Sequence, residues 1–90
     1  MADVNLIKKT MRISHEKLDE EIKNNIDFCL LDLERVGVNK SREKLVNKAC
    51  ELYCKSEFNY EGKGEQYRIK YEKLRDALSL CGEYMEGNNV

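Results

Sequence analysis

The sequence lacks proline entirely and contains a single histidine, His15. Without proline, no helix is forced to end by a missing N–H group and a clashing ring. The sequence also has no apolar run long enough to span a membrane and no secretory signal pattern. We therefore expect a chain that stays in the cytosol and whose helices end at glycine, asparagine and serine.

A surplus of one charge is missing as well. Charged residues make up 37% of the chain, yet the formal net charge is −1. Acidic and basic residues are interleaved, which is typical of solvated helix faces with ion pairs four residues apart. Binding to a polyphosphate would need a clustered basic surplus. The composition thus disfavours a protein that grips nucleic acid through its charge.

The chain is short for a self-sufficient core. Its ninety residues suffice for one domain, which we place at residues 1–86, followed by a flexible tail at 87–90. A chain of this length buries only about 60 to 65% of the surface that its unfolded form exposes. We expect marginal stability in isolation, for which oligomerisation is a common remedy.

Apolar residues recur at helical spacing throughout the sequence. In the second predicted helix the spacings are 4, 4, 3, 4 and 3, and they form one stripe from Leu18 to Val36. The fold class predicted is all-α, a three-helix antiparallel bundle with a short additional N-terminal helix. The predicted helices cover residues 3–11, 15–36, 42–58 and 65–81.

Four residues or segments mark the predicted helix ends. Ser14 is expected to be the N-cap of the second helix, because its hydroxyl can accept a hydrogen bond from the first turn. Gly37 and Gly82 are expected just past the C-termini of the second and last helices. The segment Asn59–Gly64 is the clearest loop, and its glycines and asparagine predict unusual backbone angles.

Residues that could carry chemistry do not form a recognisable constellation. Cys29, Cys50, Cys54 and Cys81 fall on or beside apolar helix positions, where a reduced cysteine behaves as a small buried hydrophobe. Structural zinc sites instead present cysteine pairs on tight turns. His15 has no sequence motif that supplies a catalytic partner. We expect no enzyme, no metal site and no cofactor.

Three segments suggest a family. They are SHEKLDEEI in the second predicted helix, LVNKACELYCKSEF in the third and YRIKYEKLRDALSLCGEY in the last. In their order and pattern they resemble the small head–tail connector proteins, or adaptors, of long-tailed bacteriophages and prophages, which are often labelled DNA-packaging proteins. The resemblance covers about residues 4–85.

The resemblance implies a structural role in the virion. Such proteins form a ring of about twelve subunits beneath the portal. The ring extends the DNA channel and docks a stopper or tail protein. The expected partners are therefore further copies of the chain, the portal protein and a stopper. DNA would pass through the channel without sequence-specific binding, in keeping with the near-neutral charge. The expected location is the bacterial host cytoplasm during assembly, and then the virion neck.

Within this interpretation, tyrosines are the leading interface candidates. Tyrosine is enriched in protein interfaces, although at helical spacing it also lies at the edge of a core, and the sequence leaves both roles open. The flanks of the second and last helices are candidates for ring contacts. The loop 59–64 and the tail 83–90 are candidates for meeting other virion proteins. The protein-interface residues predicted are Tyr60, Lys63, Tyr67, Tyr71, Tyr84 and Met85.

Two other functions stay open. The first is a DNA-binding regulator in which residues 37–40 form the turn of a helix-turn-helix and Lys40, Arg42 and Lys44 begin the recognition helix. The helix before that turn is long for this motif. The second is a helical regulatory subunit or inhibitor that binds a single partner protein.

Overall fold

The computed structural model describes residues 3–38 and 43–87, and of residues 80–87 it describes the backbone only. Within these ranges the regular structure is helical and contains no strand, so the all-α prediction is confirmed. A short 3₁₀ turn, Tyr60–Gly62, precedes the last helix. The helices are α1 (Val4–Thr10), α2 (Asp19–Arg35), α3 (Glu43–Glu57) and α4 (Gly64–Gly87).

Helix α1 is stabilised by an N-terminal cap, and a buried isoleucine and one ion pair hold it against the bundle. The Asp3 carboxylate accepts a hydrogen bond from the N–H of Leu6 at 2.8 Å and so caps the N-terminus. Ile7 is fully buried. Lys8 Nζ lies 2.8 Å from the carboxylate of Asp19, the first residue of α2. A seven-residue helix is too short to persist alone, so these contacts explain why it forms.

Helix α2 begins later than predicted, and Ser14 is not its N-cap. The first helical residue is Asp19, and Leu18 occupies the cap position without a side-chain hydrogen bond. Both Ile13 and Leu18 pack against the core, and the chain between them is non-helical. A hydroxyl cap contributes only about 1 kcal/mol. Placing two apolar anchors in the core outweighs that contribution.

Gly37 terminates α2 as predicted. Its φ is +82°, and its N–H donates to the carbonyl of Glu34 at 3.0 Å. The N–H of Val38 donates to the carbonyl of Leu33 at 2.9 Å. These two bonds make a Schellman motif, and both Val38 and Leu33 are buried, as its accompanying apolar contact requires.

Helix α1 ends in the same motif without a glycine. Arg12 takes the left-handed position with φ +57°. Its N–H donates to the carbonyl of Lys9 at 3.3 Å, and the N–H of Ile13 donates to that of Lys8 at 2.9 Å. An L-residue with a Cβ is strained in this region. Arg12 therefore stores backbone strain that Gly37 avoids.

The loop before α4 has the unusual angles that the sequence predicts. Asn59, Glu61 and Gly62 all have positive φ. The Asn59 side chain accepts a hydrogen bond from the N–H of Gly64 at 2.8 Å. It thereby provides a partner for one of the N–H groups that have none within the first turn of α4. A Cβ on Gly64 would lie 2.7 Å from the same Asn59 oxygen and 2.9 Å from the Ser56 carbonyl. The close approach of loop and helix explains the glycine.

Helix α4 extends further than predicted. It continues through Gly82 to Gly87, whereas the prediction placed its end at Cys81. A glycine inside a helix costs about 1 kcal/mol relative to alanine but leaves the backbone hydrogen bonds intact, so it does not by itself end a helix. The predicted tail begins at Gly87, the last residue of α4, and its residues 88–90 lie outside the described ranges.

Helix α3 supplies the centre of the core. It packs against both α2 and α4, and five of its side chains are buried. The thiols of Cys29, Cys50 and Cys54 are fully buried and free, so the prediction that these cysteines act as small core residues is confirmed. The side chain of Cys81 lies outside the described residues. The buried apolar residues are Ile7, Met11, Ile22, Ile26, Cys29, Leu33, Val38, Val46, Ala49, Cys50, Leu52, Cys54, Tyr71 and Leu78.

The two Schellman motifs give a matched pair of stability predictions. Gly37→Ala should lower the free energy of unfolding by about 1 kcal/mol, because the new Cβ meets no atom but strains the left-handed backbone. Arg12→Gly should raise it by about 0.5 to 1 kcal/mol, because it removes the same strain. Urea denaturation followed by circular dichroism measures both. Equal stability of the Arg12→Gly variant and the parent chain would contradict the assignment of strain to Arg12.

Candidate interaction surfaces

A polar junction joins α2 to α4. Asp32 of α2 accepts hydrogen bonds from the Tyr71 hydroxyl at 2.6 Å and from Arg75 at 3.2 Å, both on α4. Arg35 also donates to Asp32, at 2.7 Å, from the same helix. We call these four residues the Asp32 junction. One turn beyond it, the Ser79 hydroxyl donates to the Val36 carbonyl at the end of α2.

The junction fixes the charge states of its members. Partial burial by itself would raise the pKa of Asp32, but the hydrogen bonds from Tyr71, Arg35 and Arg75 outweigh it and hold that pKa below its ordinary value. Burial and the hydrogen bond to Asp32 raise the pKa of Tyr71. At neutral pH the junction is therefore a carboxylate held by two guanidinium groups and a neutral phenol. Such an arrangement is suited to holding two helices together.

The thiols beside the junction are poor nucleophiles. Cys29 Sγ lies 3.9 Å from the Tyr71 hydroxyl. A hydrogen bond with Cys50 and burial raise the pKa of Cys29, and burial raises that of Cys54 to about 12. The hydrogen bond with Cys29 lowers the pKa of Cys50, but all three thiols are fully buried and out of reach of a substrate. Among the residues that the structure describes, no three His, Cys, Asp or Glu side chains are arranged to hold a metal ion.

A shallow groove lies over the junction. It has a volume of about 300 Å³, and it carries both charges and aromatic rings. Tyr53 and Tyr71 meet edge to face in its floor, with ring centres 5.2 Å apart. Arg68 on its rim is already paired with Glu65 and Glu72, at 2.6 Å and 3.0 Å. The groove thus offers no unpaired arginine of its own to an anionic ligand.

Lys55 organises the tyrosines near the loop. Its ammonium lies 5.3 Å from the ring centre of Tyr60 and 5.4 Å from that of Tyr67. It also forms an ion pair with Glu51 at 3.1 Å. Tyr60 and Tyr67 are half-buried and pack against the core. Tyr60 and Tyr67 are thereby held at the edge of the core with part of each ring exposed.

The structure separates the interface residues that the sequence predicts. Lys63 is exposed, and Tyr60 and Tyr67 lie close by, so these three share one end of the bundle. Tyr71 is only 4% exposed and belongs to the core and the junction. The side chains of Tyr84 and Met85 lie outside the described residues. The predicted set therefore does not form a single surface in the described part of the chain.

The most exposed large apolar side chains lie elsewhere. Phe28 and Leu31 on α2 are 59% and 61% exposed, and Ile69 on α4 is 42% exposed. None of the three is among the interface residues that the sequence predicts. Their positions, off the main apolar stripe of each helix, were the available signal. Phe28 and Leu31 are three residues apart on α2 and so lie next to each other on its surface.

His15 makes one local hydrogen bond at the surface. His15 is exposed, and its Nδ1 accepts a hydrogen bond from the Lys17 N–H at 3.3 Å. Within the described ranges, no helix combines the length and the apolar character needed to cross a lipid bilayer.

No protein-family model matches the chain, and neither does any curated protein or solved structure.

The Asp32 junction makes acid stability sensitive to one residue. Because the folded pKa of Asp32 is lowered, its stabilisation is complete above the ordinary aspartate pKa, near 3.9, and is lost as the pH falls through the folded value. Asp32→Asn should cost about 1 to 3 kcal/mol at pH 7, since charged hydrogen bonds are lost. It should also reduce the loss of stability between about pH 5 and pH 2.

Urea titrations across that pH range measure both effects. Asp27→Asn, on an exposed part of the same helix, is the matched control and should leave stability at pH 7 within about 0.5 kcal/mol of the parent. Tyr71→Phe should also lower the free energy of unfolding at pH 7, because it keeps the ring but removes the hydroxyl that donates to Asp32. An unchanged acid profile in Asp32→Asn would contradict the role given to the junction.

Proposed function

We propose that this chain is the subunit of a phage or prophage head–tail connector ring. In this role it sits beneath the portal, extends the DNA channel and docks a stopper or tail protein. The observation that carries the proposal is the exposure of Phe28 and Leu31 on a chain with so small a core. The pattern of the three helical segments, which resembles connector proteins, supplies the identity of the assembly.

The arrangement of the long helices supports this function. Contacts between α2 and α4 join residues that advance together along both helices: Cys29 with Tyr71, Asp32 with Arg75, and Val36 with Ser79. This order supports a three-helix antiparallel bundle in which α2 and α4 run in the same direction and α3 runs against both. A rod of this kind can stand side by side with copies of itself around a channel.

The exposed apolar pair favours permanent neighbours. Burying a large apolar side chain contributes about 1.5 to 3 kcal/mol. Phe28 and Leu31 forgo more than half of that contribution in the isolated chain. A marginally stable domain gains from an assembly that covers them. This gain is a physical reason for the subunit to be more stable in a ring than alone.

The pairing of basic side chains fits a channel that does not grip DNA. Arg75 is bonded to Asp32 and to Asp76, and both Lys48 and Lys55 are bonded to Glu51. Lysines and arginines that neutralise phosphates must be free to do so. With these basic side chains paired within the chain and a formal net charge of −1, the chain suits a channel through which DNA slides.

A DNA-binding regulator is less well supported. Its recognition helix would be α3, but α3 is the helix with the most buried side chains in the described ranges, and it is packed between α2 and α4. A recognition helix must instead present a face to the major groove. A regulator that binds one partner protein would use the same exposed residues of α2 as a connector subunit. The connector and this regulator differ in the assembly that the chain forms.

Mass in solution separates these functions. We expect the chain to form rings, alone or when mixed with the portal protein encoded nearby, because its exposed apolar residues need neighbours. Light scattering on a sizing column, with chain and portal separately and together, gives the mass of each species. A chain that stays monomeric with portal but binds DNA fragments in a salt-dependent way would contradict the connector function and favour the regulator.

A further inference from the structure

An exposed stripe runs along the outer face of α2. Its members are spaced 4, 3 and 4 residues apart and therefore share one side of the helix. All four are exposed: Glu20, Asn24, Asp27 and Leu31. The stripe is acidic with one large apolar residue, and within the described ranges none of its side chains makes an ion pair. We call it the α2 stripe.

A second exposed stripe follows one flank of α4. Its members are Gln66, Ile69, Lys70, Lys73 and Ala77, and all are exposed. It lies on the flank away from Tyr71 and Arg75, the residues that hold α4 to α2. It carries two lysines and one large apolar residue, and Lys70 also lies 5.7 Å from the ring centre of Tyr67. We call it the α4 stripe.

The two stripes are complementary in length and in charge. Each extends over eleven residue steps, or about 16 Å of helix. One offers two carboxylates and the other two ammonium groups, and each has one exposed aliphatic residue. Because they lie on different helices and face away from the Asp32 junction, a single chain cannot join its own stripes. Two copies can.

We propose that the α2 stripe of one copy docks on the α4 stripe of the next copy. This contact rests on the proposed connector function and specifies the ring interface. It is heterologous, because two different surfaces meet, and heterologous contacts generate closed rings when the rotation closes. A second copy is the favoured occupant because both complementary surfaces are present on every chain.

The contacts inside one subunit also give the register. Three of the bonds between α2 and α4 join residues 42 or 43 positions apart. Rotation about a ring axis that runs along the helices leaves height unchanged, so the same offset applies between copies. It places Asn24 opposite Gln66 and Asp27 opposite Lys70. Leu31 then lies opposite the alkyl stem of Lys73, about one helical turn from Ile69.

Charge reversal tests this contact. Asp27→Lys and Lys70→Glu should each weaken self-association about tenfold, because each brings like charges together. A 1:1 mixture of the two variants should associate as tightly as the parent chain, since every interface in an alternating ring again pairs opposite charges. Glu61→Lys and Lys9→Glu, which make the same charge changes at other exposed positions, are the controls and should associate normally.

Sedimentation velocity up to about 1 mM protein measures the association, since single helix contacts of this length are weak. A parent chain that is monomeric at that concentration would overturn the contact. So would Lys70→Glu associating normally, which is the result expected if copies meet through α2 alone. Rescue in the mixture but not with the parent chain supports the head-to-tail contact.

The same variants keep this contact distinct from the connector function. If rings form on the portal and neither reversal affects them, the connector function stands and the α2–α4 contact is wrong. If the reversals behave as expected but nothing assembles on the portal, the contact stands and the connector function is wrong.

Discussion

The hydrogen bonds to Asp32 are the interaction on which the arrangement of the helices depends. Helix α3 packs closely against both α2 and α4, whereas α2 and α4 meet chiefly through side chains. Tyr71 and Arg75 reach across to one carboxylate and fix how both helices are rotated about their axes. That rotation turns Phe28 and Leu31 outward on one side and the lysines of α4 outward on another. The surfaces offered to neighbours are thus set inside the bundle.

The small core explains why such surfaces matter. Three of the buried core residues are small thiols, and Arg12 at the end of α1 has a strained backbone. Association with a partner that binds only the folded chain adds to the stability of a small domain. In the proposed ring, the α4 stripe of the neighbour covers Leu31, which the isolated subunit leaves to water.

Much of the fold could be predicted from the sequence, because periodic apolar residues specify helices and Gly37 specifies an end. The errors have local causes. Ser14 was outweighed by the burial of Ile13 and Leu18, and Gly82 lies inside a helix that tolerates it. The Asp32 junction could not be predicted, because its partners lie 39 and 43 residues away and polar pairing at that distance leaves no periodic signal.

The candidate surfaces were only partly predictable for the same reason. Apolar spacing places Phe28 and Leu31 off the main stripe of α2 but does not reveal how far each side chain is exposed to solvent. Electron microscopy of the chain mixed with portal protein tests whether the chain forms a connector ring. We expect an added ring of density that is coaxial with the portal and continues its channel. A portal without added density, at chain concentrations near 1 mM, would contradict it.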